Sequence, residues 1–348
     1  MKQTVGYAAY QQGEALAPFE FGRREVGDTD VAFDILFCGV CHSDLHQVNN
    51  DWQGGQYPMV PGHEVVGRVT AVGEKVSKVS VGQLVGVGCF VDSCHQCQAC
   101  NEGDEQYCQE GVTHTYNGED KHLGGLTYGG YSKQMVVDET FTLKMPTQLD
   151  PAASAPLLCA GITTYSPLKR VGVTKGSKVG VVGLGGLGHM AVKIAKAMGA
   201  EVTVISRNKT KMADADRLGA DHYLAQDDTA ALEAAQNKFD FILDTVSAKH
   251  DINGLLALLK RDATLTHVGL PHEQLELSVF PLVLKRVNIN GSLVGGIPET
   301  QEMLDFCAEH NITADIELIK MSEINEAYQR LQRSDVKYRF VIDIENWQ

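Results

Sequence analysis

Up to about residue 150, apolar positions come in short β-branched runs broken by glycine. Val65-Val66-Gly67-Arg68-Val69-Thr70-Ala71-Val72-Gly73 and Val85-Gly86-Val87-Gly88 are examples. Short strands with frequent turn signals predict an all-β, barrel-like domain. Near residue 151 the texture changes to apolar runs of strand length alternating with helical patterns. Strands are expected over Lys178 to Val182, Val202 to Ile205, Phe239 to Leu243 and Ala263 to Val268. Helices are expected over Gly186 to Met198, Lys209 to Leu218 and Ile252 to Lys260. Such alternation predicts a parallel, doubly wound α/β sheet. A helical stretch (Glu299 to Glu309) and a last strand (Arg339 to Asp343) then read as a return to the first domain. The expected division is residues 1–155 with 294–348, enclosing 156–293. No internal repeat or low-complexity tract interrupts it.

A length of 348 residues is consistent with about two domains. The net charge of −14 argues against nucleic acid or an anionic membrane surface as partner. No run of 18 apolar residues is present, so no membrane span is expected. The first residues enter strand-like sequence without an apolar leader pattern, and nine cysteines then point to a reducing cytoplasm.

Four of those cysteines, Cys94, Cys97, Cys100 and Cys108, follow the pattern Cys-x2-Cys-x2-Cys-x7-Cys. The residues between them are polar and turn-prone, which reads as a protruding lobe. Thiolates this close can surround one tetrahedral Zn²⁺. Disulfides fit a long chain without a leader poorly. An iron–sulfur run of the bacterial type places its fourth cysteine sooner and follows it with proline, whereas Gln109 follows Cys108. A structural zinc is the expectation.

Gly183, Gly185 and Gly188, with Gly186 and Leu187 between them, form Gly-x-Gly-x-x-Gly after the strand Val179 to Val182 and before a helix. In that context the first glycine permits the turn, the second lets backbone approach a pyrophosphate, and the third lets helix pack on strand. The helix N-terminus offers unpaired N–H groups to the phosphates. Where an NAD-specific site carries Asp or Glu, this chain has Ser206, followed by Arg207, Asn208, Lys209, Thr210 and Lys211. Missing the carboxylate and rich in cations, the segment suits a 2′-phosphate on Ser206, Arg207 and Lys211, and NADP(H) is expected.

Cys41-His42-Ser43-Asp44-Leu45-His46 and Pro61-Gly62-His63-Glu64 carry more soft and basic groups than folding alone requires. A catalytic zinc takes about three protein ligands and keeps one position open. Cys41 and His63 can supply two. Cys159, where the two domains would join, is a candidate third, although each residue taken singly also reads as core filler or a hydrogen-bonded loop residue.

Together these motifs resemble the zinc-dependent medium-chain alcohol dehydrogenases, over essentially the whole chain and in the family order. Gly39-Val40-Cys41-His42-Ser43-Asp44, Tyr57-Pro58-Met59-Val60-Pro61-Gly62-His63-Glu64, Cys159-Ala160-Gly161-Ile162-Thr163 and Tyr338-Arg339-Phe340-Val341 are most similar to the cinnamyl alcohol dehydrogenase branch. The resemblance implies a GroES-like catalytic domain with an inserted Rossmann domain, and NADP(H)-dependent interconversion of primary alcohols and aldehydes. It implies two zinc ions per chain, the catalytic one on Cys41, His63 and Cys159 with Glu64 as alternate ligand. Asp44 would orient His63, Ser43 would bond the substrate oxygen, and His46 would be the base on the solvent side. His42, Thr163, Val268 and Arg339 would reach the cofactor. Trp52 and Tyr57 would line the substrate pocket. His114 stands where branch members acting on lignin precursors carry a large aromatic, which turns the expectation toward a broad aldehyde reductase. A homodimer is the family's habit. Cys38, Cys89 and Cys307 are left as buried thiols. An NAD-dependent polyol dehydrogenase, a zinc or redox sensor on this scaffold, and a zinc-free quinone reductase are the alternatives. They are opposed respectively by Cys159 and Ser206, by the complete inner donor set, and by the cysteine lobe.

Overall fold

The computed structural model describes residues 1–271 and 273–347. The chain divides into two compact units, one formed by Met1–Cys159 with the segment from Gly295 onward, the other by Ala160–Val294.

The first unit is built on a seven-stranded sheet. Its path runs Ile316–Lys320, Arg339–Asp343, Asp30–Val40, Val65–Val72, Leu84–Val87, Leu143–Lys144, with Gln134–Asp138 paired to Asp30–Val40 off that path. Most neighbours are antiparallel, and Arg339–Asp343 lies between the parallel Ile316–Lys320 and the antiparallel Asp30–Val40. The long central strand is buried along nearly its whole length, which its Val, Ile, Phe and Cys content permits. Phe33, Phe141, Phe340, Tyr131, Met59 and Met135 fill the core. Each aromatic contributes about 1.5–3 kcal/mol by leaving water.

The second unit is a six-stranded sheet whose pairs are all parallel. Its order is His222–Ala225, Glu201–Ser206, Lys178–Val182, Phe239–Asp244, Leu259–His267, Asn288–Gly291. The order reverses between Lys178–Val182 and Phe239–Asp244, which is the switch point where such sheets open a crevice at their carboxyl ends. One boundary differs from expectation. The helix Ile252–Leu258 gives way at once to the strand Leu259–His267, so Leu259 and Lys260 are extended rather than helical. The Leu255 to Leu259 run is apolar throughout and its period is ambiguous. Leu259, fully buried and paired with Phe239, gains more in the sheet than in another helical turn. Among the described residues, no helix is long and apolar enough to cross a membrane.

Candidate functional site

The strand Asp30–Val40 delivers Cys41 to the N-terminus of the helix His42–Val48, and Asp44 in the first turn reaches back to accept the Cys41 N–H at 2.9 Å. The other Asp44 oxygen accepts from Gly62 N–H at 3.1 Å and His63 Nδ1 at 3.0 Å. One buried carboxylate thus fixes the loop carrying His63 against the turn carrying Cys41. It also selects the His63 tautomer that leaves Nε2 a lone pair, the second tie that ligating histidines need. Tyr131, fully buried, donates its hydroxyl to Asp44 at 3.2 Å.

Ligand atoms of Cys41, His63, Glu64 and Cys159 all lie within 4.8 Å of one another, and all four residues are buried. The sulfurs of Cys41 and Cys159 are 4.0 Å apart, twice a disulfide bond. Tetrahedral zinc with Zn–S near 2.3 Å separates two sulfurs by about 3.8 Å. Glu64 Oε2 is buried with no hydrogen-bond partner, and its neighbour Gly39 has no room for a side chain because a Cβ there would collide with Glu64. An orphaned carboxylate oxygen beside two thiols and an imidazole is a donor set that fits a zinc ion. Arg339, buried at the start of the strand Arg339–Asp343, forms an ion pair with the other Glu64 oxygen, and its Nη1 lies 3.9 Å from Cys41 Sγ. Burial pushes the Glu64 carboxyl up to about 7 against the pull of Arg339. Cys159, within hydrogen-bond reach, lowers the Cys41 thiol well below its ordinary range, and Arg339 and His63 add to the effect.

Ser43 Oγ lies 3.6 Å from Cys41 Sγ, at the edge of this set. His46 bonds Asp51 through Nδ1 at 2.8 Å and packs on Trp52 with ring centroids 5.0 Å apart. Tyr57 donates to Val48 O at 2.8 Å. His42 opens the helix on its exposed side, and His114 lies exposed on the short strand Thr113–His114. Cys38 and Cys307 are buried thiols, whereas Cys89 is half-buried with its Sγ 4.0 Å from the Leu158 carbonyl oxygen. Cys89 is less buried than expected because it stands in the bend between the strands Leu84–Val87 and Phe90–Asp92 rather than inside a strand. Tyr131, Cys89 and Tyr116, whose ring lies 5.9 Å from that of His63, are neighbours of the inner set that sequence reasoning missed; none carries a local motif.

In the lobe, Cys97 and Cys100 sulfurs are 3.5 Å apart and Cys94 and Cys100 sulfurs 3.9 Å. This is zinc spacing, far longer than a disulfide. Backbone N–H groups point at the sulfurs, from Cys94 to Cys108, Cys97 to Cys94 and Gln109 to Cys97, at 3.3–3.4 Å. Donation from the Gln109 and Cys100 N–H groups brings the Cys97 thiol down to about 6, toward the thiolate form that a metal ligand takes.

In the parallel-sheet unit, Gly183 has φ +86° and a Cβ on Gly188 would collide with its carbonyl. A Cβ on Gly185 meets nothing within 4 Å, which leaves space beside the backbone for a phosphate. Leu187 caps the helix Gly188–Ala197, with Gly186 in the turn before it. Ser206 ends its strand, Arg207 follows exposed, and Lys211 Nζ donates to Leu184 O at 2.8 Å, tying the second strand's end to the glycine turn. Val268 N–H donates to Asp244 O at 2.9 Å, and Thr163 is buried in the helix Ala160–Arg170.

Residues 27–147 match the alcohol dehydrogenase GroES-like domain, and residues 186–309 match the zinc-binding dehydrogenase family. Over 346 residues the chain is 56% identical to a probable mannitol dehydrogenase of Medicago sativa, covering 99% of this chain and 96% of that protein. It is 54% identical over 344 residues to an NADP-dependent alcohol dehydrogenase of Mycolicibacterium smegmatis, covering 99% and 98%. A solved cinnamyl alcohol dehydrogenase from Sorghum bicolor superposes with TM-score 0.97 at 47% identity, covering 100% of this chain and 99% of that one. Full-length kinship of this degree, over a GroES-like unit and a Rossmann-type sheet, makes the chain a member of the zinc-binding alcohol dehydrogenase family.

Proposed function

We propose that this alcohol dehydrogenase interconverts primary alcohols and aldehydes, aromatic and medium aliphatic, with NADP(H), and works as a broad aldehyde reductase. The observation that carries the reading is the buried set Cys41, His63, Glu64 and Cys159 with the Ser43 hydroxyl at its edge. Cys41, His63 and Cys159 would hold a zinc ion, which would supply Lewis-acid polarisation of the substrate oxygen, and a bound nicotinamide would supply or take up the hydride. Glu64, with one oxygen on Arg339 and one unpartnered, would be the alternate ligand to that ion. The Ser43 hydroxyl bonds the substrate oxygen and exchanges a proton with it. His46, its ring fixed by Asp51, is the base that connects this proton to solvent. Asp44 holds His63 and the Cys41 turn at fixed distance. Trp52, Tyr57 and His114 are proposed to line the substrate pocket.

For the cofactor, Gly183, Gly185, Gly186, Leu187 and Gly188 receive the pyrophosphate, and His42 and Arg339 are kept as the cofactor contacts that the family resemblance implies. Thr163 and Val268 contact the nicotinamide half. Ser206, Arg207 and Lys211 receive the 2′-phosphate, and the NADP-dependent relative at 54% identity supports that choice. We assign NADP binding to the domain drawn from sequence as residues 156–293, whose core is the compact unit Ala160–Val294, and catalysis to the domain drawn as residues 1–155 with 294–348; Cys159 falls in the compact unit that carries the other zinc-ligand candidates. All nine cysteines are free, which supports a cytoplasmic location. A homodimer is supported by the helix Phe280–Lys285. Its Phe280, Val283 and Leu284 are 74%, 70% and 75% exposed beside the sheet-edge strand Asn288–Gly291.

The test supplies NADPH at neutral pH with benzaldehyde, cinnamaldehyde, butyraldehyde, acetone and a ketose, and follows loss of nicotinamide absorbance. Aromatic and medium aliphatic aldehydes should lead, because affinity follows buried apolar area. Ser43→Ala should lower kcat by roughly 10²–10⁴. Dominant ketose reduction would move the enzyme to polyol substrates, a reading the mannitol dehydrogenase relative keeps in play.

A further inference from the structure

Asp244 ends the strand Phe239–Asp244 at the switch point of the parallel sheet and is fully buried. One of its oxygens accepts the Val246 N–H at 3.1 Å. The other faces two imidazoles, His250 Nε2 at 2.7 Å and His267 Nδ1 at 3.0 Å. His250 Nδ1 in turn lies 2.8 Å from the Ala248 carbonyl oxygen. A carbonyl and a carboxylate only accept, so a neutral His250 would set a lone pair against one of them. The doubly protonated ring satisfies both.

The turn that Asp244 holds is the wall facing the glycine fingerprint. Thr245 donates to Val182 O twice, from its backbone N–H at 3.1 Å and its hydroxyl at 2.7 Å. A Cβ on Gly183 would meet Thr245 Oγ1 and Val246 Cγ2 at 3.1 Å each, and one on Gly188 would meet Thr245 Oγ1 at 3.4 Å. On the other side, a Cβ on Gly269 would collide with the Val246 carbonyl. The turn is wedged among three glycines, and a small shift in it alters the space the fingerprint leaves.

We propose that Asp244, with His250 as imidazolium partner and His267 as second donor, is a positioning set that seats the Thr245–Val246 turn against the fingerprint, so that dinucleotide affinity depends on the charge of His250. The proposal rests on the dinucleotide-binding reading of this sheet. The titratable groups facing His250 are Asp244 and Asp251, and His267 shares Asp244. Hydrogen bonding to Asp244 raises His250 above its ordinary value against the effect of burial. Burial works to raise Asp244, but bonds from His250 and His267 hold it below its ordinary value. A raised histidine contributes fully below its ordinary value near 6.5, and its contribution is lost as pH rises through the folded value. A lowered aspartate contributes above its ordinary value near 3.9 and is lost in stronger acid. Affinity should therefore weaken on the alkaline side.

The experiment titrates the zinc-loaded protein with NADPH alone, following nicotinamide fluorescence, at one pH about a unit below and one about a unit above the His250 midpoint that ring-nitrogen NMR gives. The wild type should weaken about fivefold or more over that range. His250→Ala should bind as weakly as the wild type at high pH and show no pH slope. His250→Gln, which keeps one donor for Asp244, should recover part of the affinity without the slope. In all three, kcat at saturating NADPH should stay within about twofold, since the set does not touch substrate. Ring-nitrogen NMR of the wild type supplies a check that needs no variant: His250 should titrate above about 6.5. A ring titrating at or below that value, or a variant with wild-type affinity and slope, overturns the proposal. Wild-type protein that binds no NADPH at either pH overturns the dinucleotide reading itself.

Discussion

Four donors converge on Asp44: the Cys41 and Gly62 N–H groups, His63 Nδ1 and the Tyr131 hydroxyl. Of these Tyr131 can be removed with the least disturbance, because Phe fills the same volume. Tyr131→Phe deletes a hydrogen bond to a buried charge, worth about 1.5–3 kcal/mol. Loosening a ligand's orienting partner costs roughly 10–100-fold in metal affinity. Chelator competition on the variant should show that loss with the fold intact by circular dichroism; unchanged zinc retention would remove Tyr131 from the site. Cofactor choice is a second matter at this scale. With Ser206 and Arg207 at the strand end, kcat/KM should favour NADPH over NADH, and Ser206→Asp with Arg207→Ala should reverse it. Equal use of both cofactors by the wild type would refute the 2′-phosphate assignment. Sequence made Cys41, His63 and Cys159 legible through residue type and family motif. Tyr131 was not legible, since it stands 87 residues from Asp44 and reads as one more core aromatic.

Between residue and molecule stand the lobe and the helix Ile297–Glu309. Glu105, buried at the end of the cysteine lobe, accepts the Ile297 N–H at 2.9 Å, and a Cβ on Gly296 would collide with the Gly103 carbonyl. The lobe therefore caps a helix that arrives almost two hundred residues later in the chain. Glu105→Gln should destabilise the protein by about 1–2 kcal/mol, the loss of charge at a helix N-terminus. Thermal unfolding with both metals present measures it. Cys94→Ser should cost far more, since structural zinc contributes directly to folding. The strands Lys178–Val182 and Arg339–Asp343 were legible to the residue, because turn-forming neighbours bound them. The lobe's docking on the later helix had no local signal. Glu105 reads as a solvated acid until the chain folds, and its burial is a tertiary fact.

At the scale of the molecule, the metal content and the assembly are open to direct measurement. Fresh protein should hold two Zn²⁺ per chain, and a chelator should abolish activity by stripping the inner set while the lobe keeps its ion; one ion in fully active enzyme would disprove the two-site assignment. Light scattering should report a dimer. Phe280→Asp with Leu284→Asp should convert it to monomer, because charges on both apolar positions cannot be buried unpaired. A further consequence follows from how the chain is threaded. The parallel-sheet unit is continuous in sequence, whereas the metal-bearing unit closes only when Arg339–Asp343 pairs with Asp30–Val40 and Arg339 meets Glu64. On the ribosome, the later-starting unit can be complete while the earlier-starting one still lacks its closing strand and the counter-ion of its inner carboxylate. Catalytic zinc should therefore be captured after synthesis has passed the last strand. Stalled chains ending near residue 330 should resist protease across 160–294 and yield to it across 1–159.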